Sequence, residues 1–299
     1  MAIDKEFYNE ASAAKLGWDP SWFGCEAFDD RLVRAIRKWQ RENGLTADGM
    51  CGPSTFRRIW TEREAHISDY VSPNYDNDGL ARIVYNGKEF PINWDKTVLW
   101  TDKGGLMSKL GCYKSMAGQR IRKPTMFVNH WDVCLSSKSC QRVLDRRGIS
   151  VHFLIDNDGT IYQTLDLQHI AWHASSRKVN AKSIGVEISN AYDLKWQKWY
   201  KKNGFGERAI TTDAVVHGKT LRPHLEFYPV QLEALKALWE AVHNACGIPY
   251  ETPTGAYKNT KSPVVTSGKF KGFISHYHVI KSKIDCGGLD IEKMLEDLK

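Results

Sequence analysis

The stretch VHFLIDNDGTIYQTL, residues 151–165, decides the fold of the larger part of this chain. Apolar runs on both sides of Asp158-Gly159 are typical of two short strands, and an Asp-Gly pair between them favours a tight hairpin turn. TMFVNH, residues 125–130, has the pattern of a further buried strand, and SIGVEIS, residues 183–189, has that of another. The sequence therefore predicts a β-sheet in this part of the chain.

Helical patterns lie between and after these strands. Residues 136–147 bring Cys140, Val143 and Leu144 to one side of a predicted helix. PVQLEALKALWEAVHNACG, residues 229–247, begins with a proline and ends with a glycine, which are the usual start and stop signals of a helix. Alternating strands and helices predict an α/β domain, a sheet flanked by helices.

The first part of the chain has a different pattern. In residues 29–43, DDRLVRAIRKWQREN, apolar residues recur on one face of an amphipathic helix, and Pro53 suits the first turn of a second short helix. The residues that follow are polar and rich in turn formers. We expect a small all-α domain over 1–63, a linker over 64–80 and a larger domain over 81–299.

Bulk composition restricts the class of protein. The chain of 299 residues carries a net charge of +7, which favours polyanionic partners, but it contains no recognised nucleic-acid-binding motif. No apolar run approaches the roughly 20 residues of a membrane helix. The first residues lack a secretory signal pattern. We therefore expect no nucleic-acid partners, no stable membrane insertion, and synthesis in the cytoplasm without a signal peptide. We also expect a monomer.

Seven cysteines occur at scattered spacings without a C-x-x-C pair. This distribution resembles neither a dense disulfide framework nor a zinc ribbon, so most of these residues are expected to be buried thiols. Cys134 and Cys140 are close enough in sequence for a disulfide to be considered.

Polar residues at three places in the chain, His130, Glu187 and the segment 274–288, together suggest a hydrolytic metal site. A catalytic zinc ion takes three protein ligands and leaves its fourth position open for water, and His130, His276 and Cys286 would meet that requirement. Glu187 lies within the SIGVEIS strand, on the face that it shares with Gly185 and Ser189. A carboxylate there could accept a proton from water and pass it to a departing amine.

Five segments in their order resemble the type-2 N-acetylmuramoyl-L-alanine amidase family, which also contains amidase-type phage lysozymes and the peptidoglycan recognition proteins. The segments are FVNHWD, VHFLIDNDGTIYQ, AWHA, SIGVEIS and SHYHVIKSKIDCGG. The likeness spans residues 125–190 and 272–298. It implies that the central sheet is mixed, that the chain binds one Zn²⁺, and that the substrate is bacterial peptidoglycan.

The resemblance also implies site residues. The zinc ligands fall on His130, His276 and Cys286, and the catalytic glutamate falls on Glu187. His278 is the alternative to His276 as the second ligand. We prefer His276, because SHYHV aligns with the family's G-H-x-x-V pattern.

The third ligand region departs from the family in one position. Many members have a lysine two residues before the third ligand, where this chain has Ile284. The adjacent Lys283 is predicted to take its role of stabilising the oxyanion. Asp285 is the alternative third ligand.

Two residues of the AWHA segment are expected near the substrate. His173 matches a position that lies by the substrate cleft in relatives, where it would bind substrate or act as a structural imidazole. Trp172 offers a stacking surface for a sugar, with core packing as the alternative.

The amphipathic N-terminal segment, LVRAIRKWQRENGLTADGMCGPSTFRRI, resembles the small helical peptidoglycan-binding domain. Together the two resemblances imply an amidase that cuts between N-acetylmuramic acid and L-alanine at the bacterial cell wall, in the periplasm. The alternative is a recognition module that binds peptidoglycan without cutting. A phage endolysin fits best, with an injected effector or a recycling enzyme as other possibilities.

Overall fold

Helices and strands alternate in the computed structural model, which describes residues 3–67 and 69–299. The helices are α1 (Lys5–Leu16), α2 (Asp30–Glu42), α3 (Pro53–Ile67), α4 (Ser137–Arg147), α5 (Arg177–Lys182), α6 (Gln197–Lys202), α7 (Pro229–Cys246), α8 (Pro263–Thr266) and α9 (Ile291–Glu296). The strands are β1 (Arg82–Tyr85), β2 (Lys88–Pro91), β3 (Thr97–Leu99), β4 (Tyr113–Lys114), β5 (Met126–Trp131), β6 (Phe153–Ile155), β7 (Ile161–Gln163), β8 (Ile170–Ala171), β9 (Ser183–Ile188), β10 (Ile210–Thr211), β11 (Val215–Val216), β12 (Lys219–Thr220), β13 (His224–Leu225) and β14 (Gly272–Ser275).

The central sheet has six strands in the order β14-β5-β9-β6-β7-β3. Strand β6 runs antiparallel to β7, and the other neighbouring strands of this sheet are parallel. The predicted α/β class with a mixed sheet and a small all-α N-terminal part is therefore confirmed. The hairpin turns at Gly159, whose φ of +83° is the left-handed conformation that glycine accepts without strain.

Strand alternation gives the sheet two different faces. On one face, Phe127, Phe153, Ile184 and other apolar side chains form a core with helix α7. On the other face lie the side chains of opposite parity, which include those of His130 and Glu187. The polar residues of the candidate site thus share a face with apolar residues of the sheet.

The N-terminal helices are defined by their caps. Asp4 accepts a hydrogen bond from the Phe7 amide at the start of α1, and Gly17 ends that helix in a left-handed conformation. We did not predict α1, although these capping residues were a signal for it. Helix α3 continues to Ile67, so residues 64–67 of the predicted linker are helical.

One apolar cluster joins the N-terminal helices to the sheet. Leu16 and Phe56 from these helices pack in the same cluster as Val143 and Leu144 of α4 and Leu154 of β6. Such an interface differs from a flexible tether, because separating its halves would expose fully buried side chains to water.

Candidate metal and catalytic centre

The register between strands β5 and β9 brings His130 and Glu187 together. Strands β5 and β9 are parallel, and His130 is paired directly with Glu187. On the other side of β5, Ser275 of β14 is paired with Asn129. His276 follows Ser275, so it lies at the same end of the sheet as His130.

The imidazoles of His130 and His276 and the carboxylate of Asp285 form a closely spaced triangle. The two Nδ1 atoms are 3.0 Å apart, and Asp285 Oδ2 lies 3.2 Å from Nδ1 of His130 and 3.0 Å from Nδ1 of His276. All three residues are buried. This is a group of ligand atoms that could hold a metal ion.

The chemistry of this triangle fits zinc. Ligand bonds of about 2.0–2.2 Å in a tetrahedron separate the ligand atoms by roughly 3.3–3.6 Å, slightly more than the 3.0–3.2 Å spacing in this structure. An imidazole nitrogen without a proton and a carboxylate oxygen both present electron pairs, and a cation between the three groups would satisfy all of them. His130, His276 and Asp285 are therefore the residues that would hold the metal.

This triangle differs from the predicted ligand set at one member, because Asp285 stands where Cys286 was expected. Burial raises the pKa of the Cys286 thiol well above its ordinary value, and the Asp285 and Glu187 carboxylates add to that rise. Geometry also separates the two residues, because Asp285 belongs to the group of closely spaced ligand atoms with His130 and His276, and Cys286 does not. Burial also raises the pKa of Asp285, but the His276 and His130 imidazoles lower it well below its usual value. Asp285 is thus held as a carboxylate.

The structure also separates the two histidines between which the sequence left a choice. His278 points away from the triangle: its Nδ1 accepts a hydrogen bond from the Ser275 amide at 3.0 Å, and its Nε2 lies 2.9 Å from the Lys258 carbonyl oxygen. Both ring nitrogens are therefore used by the backbone. His276 is the histidine that joins His130.

His173 lies next to His130, and both of its ring nitrogens are within hydrogen-bond distance of other side chains. His130 Nε2 is 3.0 Å from His173 Nδ1, and His173 Nε2 is 3.2 Å from the Ser183 hydroxyl. If Nδ1 of His130 faces the metal position, its Nε2–H donates to His173, which donates in turn to Ser183. This geometry favours the structural alternative for His173 over substrate binding. Trp172 is 37% exposed, as a sugar-stacking residue would require.

Gly185 makes room for this histidine chain. A Cβ atom added at position 185 would lie 2.6 Å from His173 Nδ1. We expect Gly185→Ala to displace the His173 ring, to lower the free energy of unfolding by about 1–3 kcal/mol and to weaken metal retention. Urea unfolding and metal analysis measure both effects. The control Gly52→Ala meets only the flexible Tyr8 side chain, at 3.1 Å, and equal losses in both variants would contradict this account.

Glu187 is buried, and Arg57 is its ionic partner. Its Oε1 accepts a hydrogen bond from Arg57 Nη2 at 3.1 Å, across a sequence separation of 130 residues. Among the residues that the structure describes, Oε2 of Glu187 has no hydrogen-bond partner. One carboxylate oxygen is therefore held by Arg57, and the other is buried without a partner among the described residues.

Three cationic side chains interact electrostatically with the carboxylates of the site. They are those of Arg57, Arg147 and Lys283. Burial lowers the pKa of the Lys283 ammonium. The Asp285 carboxylate acts against this lowering, and the Arg57 guanidinium adds to it. Burial also lowers the pKa of Arg147 to about 10, with Arg57 adding to the lowering and Glu187 opposing it. Neither Arg57 nor Arg147 is among the site residues predicted from the sequence. Both lie in ordinary helical patterns, and no local signal marks a contact with a distant strand.

A second buried group of possible ligand atoms lies in the same part of the fold and consists of Asp132, Cys134 and Cys140. The Asp132 carboxylate accepts hydrogen bonds from the Cys134 and Asn190 amides and from the Ser189 hydroxyl. Both cysteines are free thiols in the structure. These bonds already satisfy the carboxylate within the protein.

Two protein-family profiles match the chain. The profile of the N-acetylmuramoyl-L-alanine amidase family matches residues 120–288, and that of a peptidoglycan binding domain matches residues 16–59. No curated protein sequence matches the chain at a significant level.

Similar solved structures share low sequence identity with the chain. The endolysin N-acetylmuramoyl-L-alanine amidase LysCS from Clostridium intestinale URNW is 16% identical, with 68% of this chain and 94% of that chain covered, at a TM-score of 0.40. The Ph2119 endolysin from Thermus scotoductus MAT2119 bacteriophage Ph2119 is also 16% identical, with 67% and 97% covered, at a TM-score of 0.37. AmpDH3 from Pseudomonas aeruginosa, in complex with anhydromuramic pentapeptide, is 19% identical, with 63% and 64% covered, at a TM-score of 0.37.

The family match includes His130, Glu187, His276 and Asp285, and it extends over more than half of the 299 residues. The chain therefore belongs to the N-acetylmuramoyl-L-alanine amidase family and carries a peptidoglycan binding domain before the amidase region.

Proposed function

We propose that this protein is a zinc-dependent amidase with one zinc ion per chain, which hydrolyses the amide between N-acetylmuramic acid and the L-alanine of the stem peptide. The observation that carries this proposal is the triangle of His130, His276 and Asp285 at the end of β5, with Glu187 in register beside His130. A protein that only binds peptidoglycan has no need of a ligand triangle and a neighbouring carboxylate.

The residues around the triangle have distinct roles in this proposal. Zinc bound there would lower the pKa of water to about 7 and polarise the scissile carbonyl. Oε2 of Glu187, which has no hydrogen-bond partner among the described residues, supports a role as general base, taking a proton from the attacking water and returning it to the departing L-alanine amine. His173 keeps His130 oriented through its hydrogen bond to Nε2.

Lys283 is proposed to stabilise the negative charge that develops on the carbonyl oxygen. With Asp285 as the third ligand, Lys283 lies two residues before it, which is the position of the family's lysine. The departure that Ile284 presents when Cys286 is taken as the ligand then disappears. The influence of Asp285 on the pKa of Lys283 agrees with their proximity.

The biological role that we propose is cell-wall lysis by a bacteriophage endolysin. The peptidoglycan binding domain at residues 16–59 supports action on intact wall rather than on small recycled fragments. In the part of the chain that the structure describes, no helix combines the length and apolarity needed to cross a bilayer. We propose that the protein acts as a monomer on peptidoglycan in the periplasm, without inserting into the membrane. An injected effector is the competing role.

A paired measurement tests the proposed activity. The zinc content of the purified chain is determined, and purified peptidoglycan is then incubated with the native, the chelated and the zinc-reloaded protein. We expect one zinc per chain and new L-alanine amino termini that chelation abolishes and zinc restores. Zinc binding without new termini on any wall tested would overturn the amidase proposal and favour the recognition module.

A further inference from the structure

The peptidoglycan binding domain contributes a side chain to the candidate catalytic centre. Arg57 lies in helix α3, within the segment that matches this domain, and its Nη2 atom is 3.1 Å from Glu187 Oε1. The side chains of Arg57 and Glu187 are only 13% and 6% exposed. The pair is therefore a buried contact between two regions that the family comparisons treat as separate.

Helix α3 is fixed against the amidase region along one face. Beyond Arg57, Trp60 Nε1 donates to the Ser139 hydroxyl at 3.1 Å, and the Thr61 hydroxyl donates to the Val133 carbonyl at 2.7 Å. One turn further, Glu64 pairs with Arg142 at 3.3 Å. Positions 57, 60, 61 and 64 lie on one side of a helix, so the whole face of α3 holds Arg57 in place.

The contact is too apolar to behave as a lid. Phe56, beside Arg57, is fully buried and belongs to the same cluster as Cys134, Cys140 and Val143 of the amidase region. Lifting α3 would expose this cluster to water and would also leave the Glu187 carboxylate without its cation. The structure favours a permanent contact over one that opens to admit substrate.

The Arg57–Glu187 pair makes the two carboxylate oxygens of Glu187 different from each other. Arg57 binds Oε1, whereas Oε2 has no partner among the described residues. A guanidinium donates along fixed directions and keeps its charge when buried. Burial lowers the pKa of Arg57, but Glu187 raises it, and the net effect is a rise above the ordinary value. The carboxylate is thus restrained at one oxygen by a permanent cation.

We propose that Arg57 is a positioning residue of the amidase, supplied by the wall-binding domain, which holds Glu187 Oε1 and leaves Oε2 as the oxygen that transfers protons. This inference rests on the proposed function, because it takes Glu187 as the general base. It gives the N-terminal domain a part in catalysis in addition to wall binding.

The test compares neighbouring arginines of the same helix in the full-length chain. Arg57→Ala removes the contact with Glu187, and Arg57→Lys keeps a charge. Arg58→Ala is the matched control, since Arg58 lies over the Tyr192 ring at 5.0 Å and does not contact Glu187. Each variant is assayed for kcat and KM on a soluble muropeptide, so that wall binding does not enter the rate, and for zinc content and Tm.

We expect Arg57→Ala to lower kcat by about 10- to 100-fold, with KM and zinc content unchanged. Arg57→Lys should recover part of this loss, and Arg58→Ala should leave kcat unchanged. An Arg57→Ala variant as active as Arg58→Ala would overturn the inference. So would an Arg57→Ala variant more active than the native chain, which would indicate an inhibitory contact.

A thermal double-mutant cycle separates this inference from the proposed function. Tm is measured for Arg57→Ala, Glu187→Gln and the double variant, and a loss in the double variant smaller than the sum of the single losses shows the coupling. Additive losses overturn the contact whatever the activity. If the native chain cleaves no peptidoglycan, the proposed function fails, and the cycle alone then decides whether Arg57 holds Glu187.

Discussion

Replacing Glu187 by glutamine is expected to lower kcat on peptidoglycan by about 10²- to 10⁴-fold, the usual contribution of a general base. Glutamine keeps the shape of the side chain but cannot accept a proton at Oε2. Because Glu187 is not part of the ligand triangle, zinc content should stay at one per chain. The release of L-alanine amino termini and metal analysis measure the two effects.

The control for this change is a glutamate outside the site. Glu207→Gln removes an exposed carboxylate that pairs with Lys201 at 2.7 Å, and it should leave kcat at the native value. Glu187→Gln also leaves the buried Arg57 without its partner, so Tm must be followed in parallel. A folded, zinc-loaded Glu187→Gln variant with native kcat would remove Glu187 from the mechanism.

Asp285→Ala is expected to deplete bound zinc and to lower kcat/KM by at least about 100-fold, since the metal stabilises the transition state by several kcal/mol. Cys286→Ala, one residue further, should keep both zinc and activity. The physical reason is that Asp285 Oδ2 lies 3.0–3.2 Å from the Nδ1 atoms of His130 and His276, whereas Cys286 is not part of that group. Metal analysis and the soluble-substrate assay measure both variants.

The zinc contents of Asp285→Ala and Cys286→Ala distinguish a ligand set with Asp285 from one with Cys286. Loss of zinc in Cys286→Ala with retention in Asp285→Ala would restore the ligand that the sequence predicts. Cys286 is fully buried, and the small cavity left by alanine costs about 1 kcal/mol of stability. A modest fall in Tm for this variant therefore does not bear on metal binding.

Much of the site follows from local sequence patterns. The strand over residues 125–130 and the SIGVEIS strand place His130 and Glu187 at corresponding ends, and their parallel pairing puts the two residues in register. The two strands are predicted from apolar runs and alternation, which are local properties of the sequence. His276 was instead proposed from ligand chemistry and from the family resemblance, and the structure places it directly after strand β14.

Other parts of the site depend on side-chain direction, which the sequence pattern does not carry. Asp285 and Cys286 are adjacent, and both are chemically acceptable ligands. A loop without a regular period gives no rule for which of them points at the histidines. The resemblance placed the third ligand on Cys286, whereas the structure brings Asp285 Oδ2 to the imidazoles.

The sequence by itself determined the class of fold, the positions of its main strands and helices, and the chemical types gathered at the site, because periodicity and turn residues are local properties. Tertiary structure alone decided that α3 packs on the amidase region and that Arg57 reaches Glu187 across 130 residues. Such contacts arise from the burial of apolar surface between distant segments, and the amphipathic pattern of a helix does not say which surface it will cover.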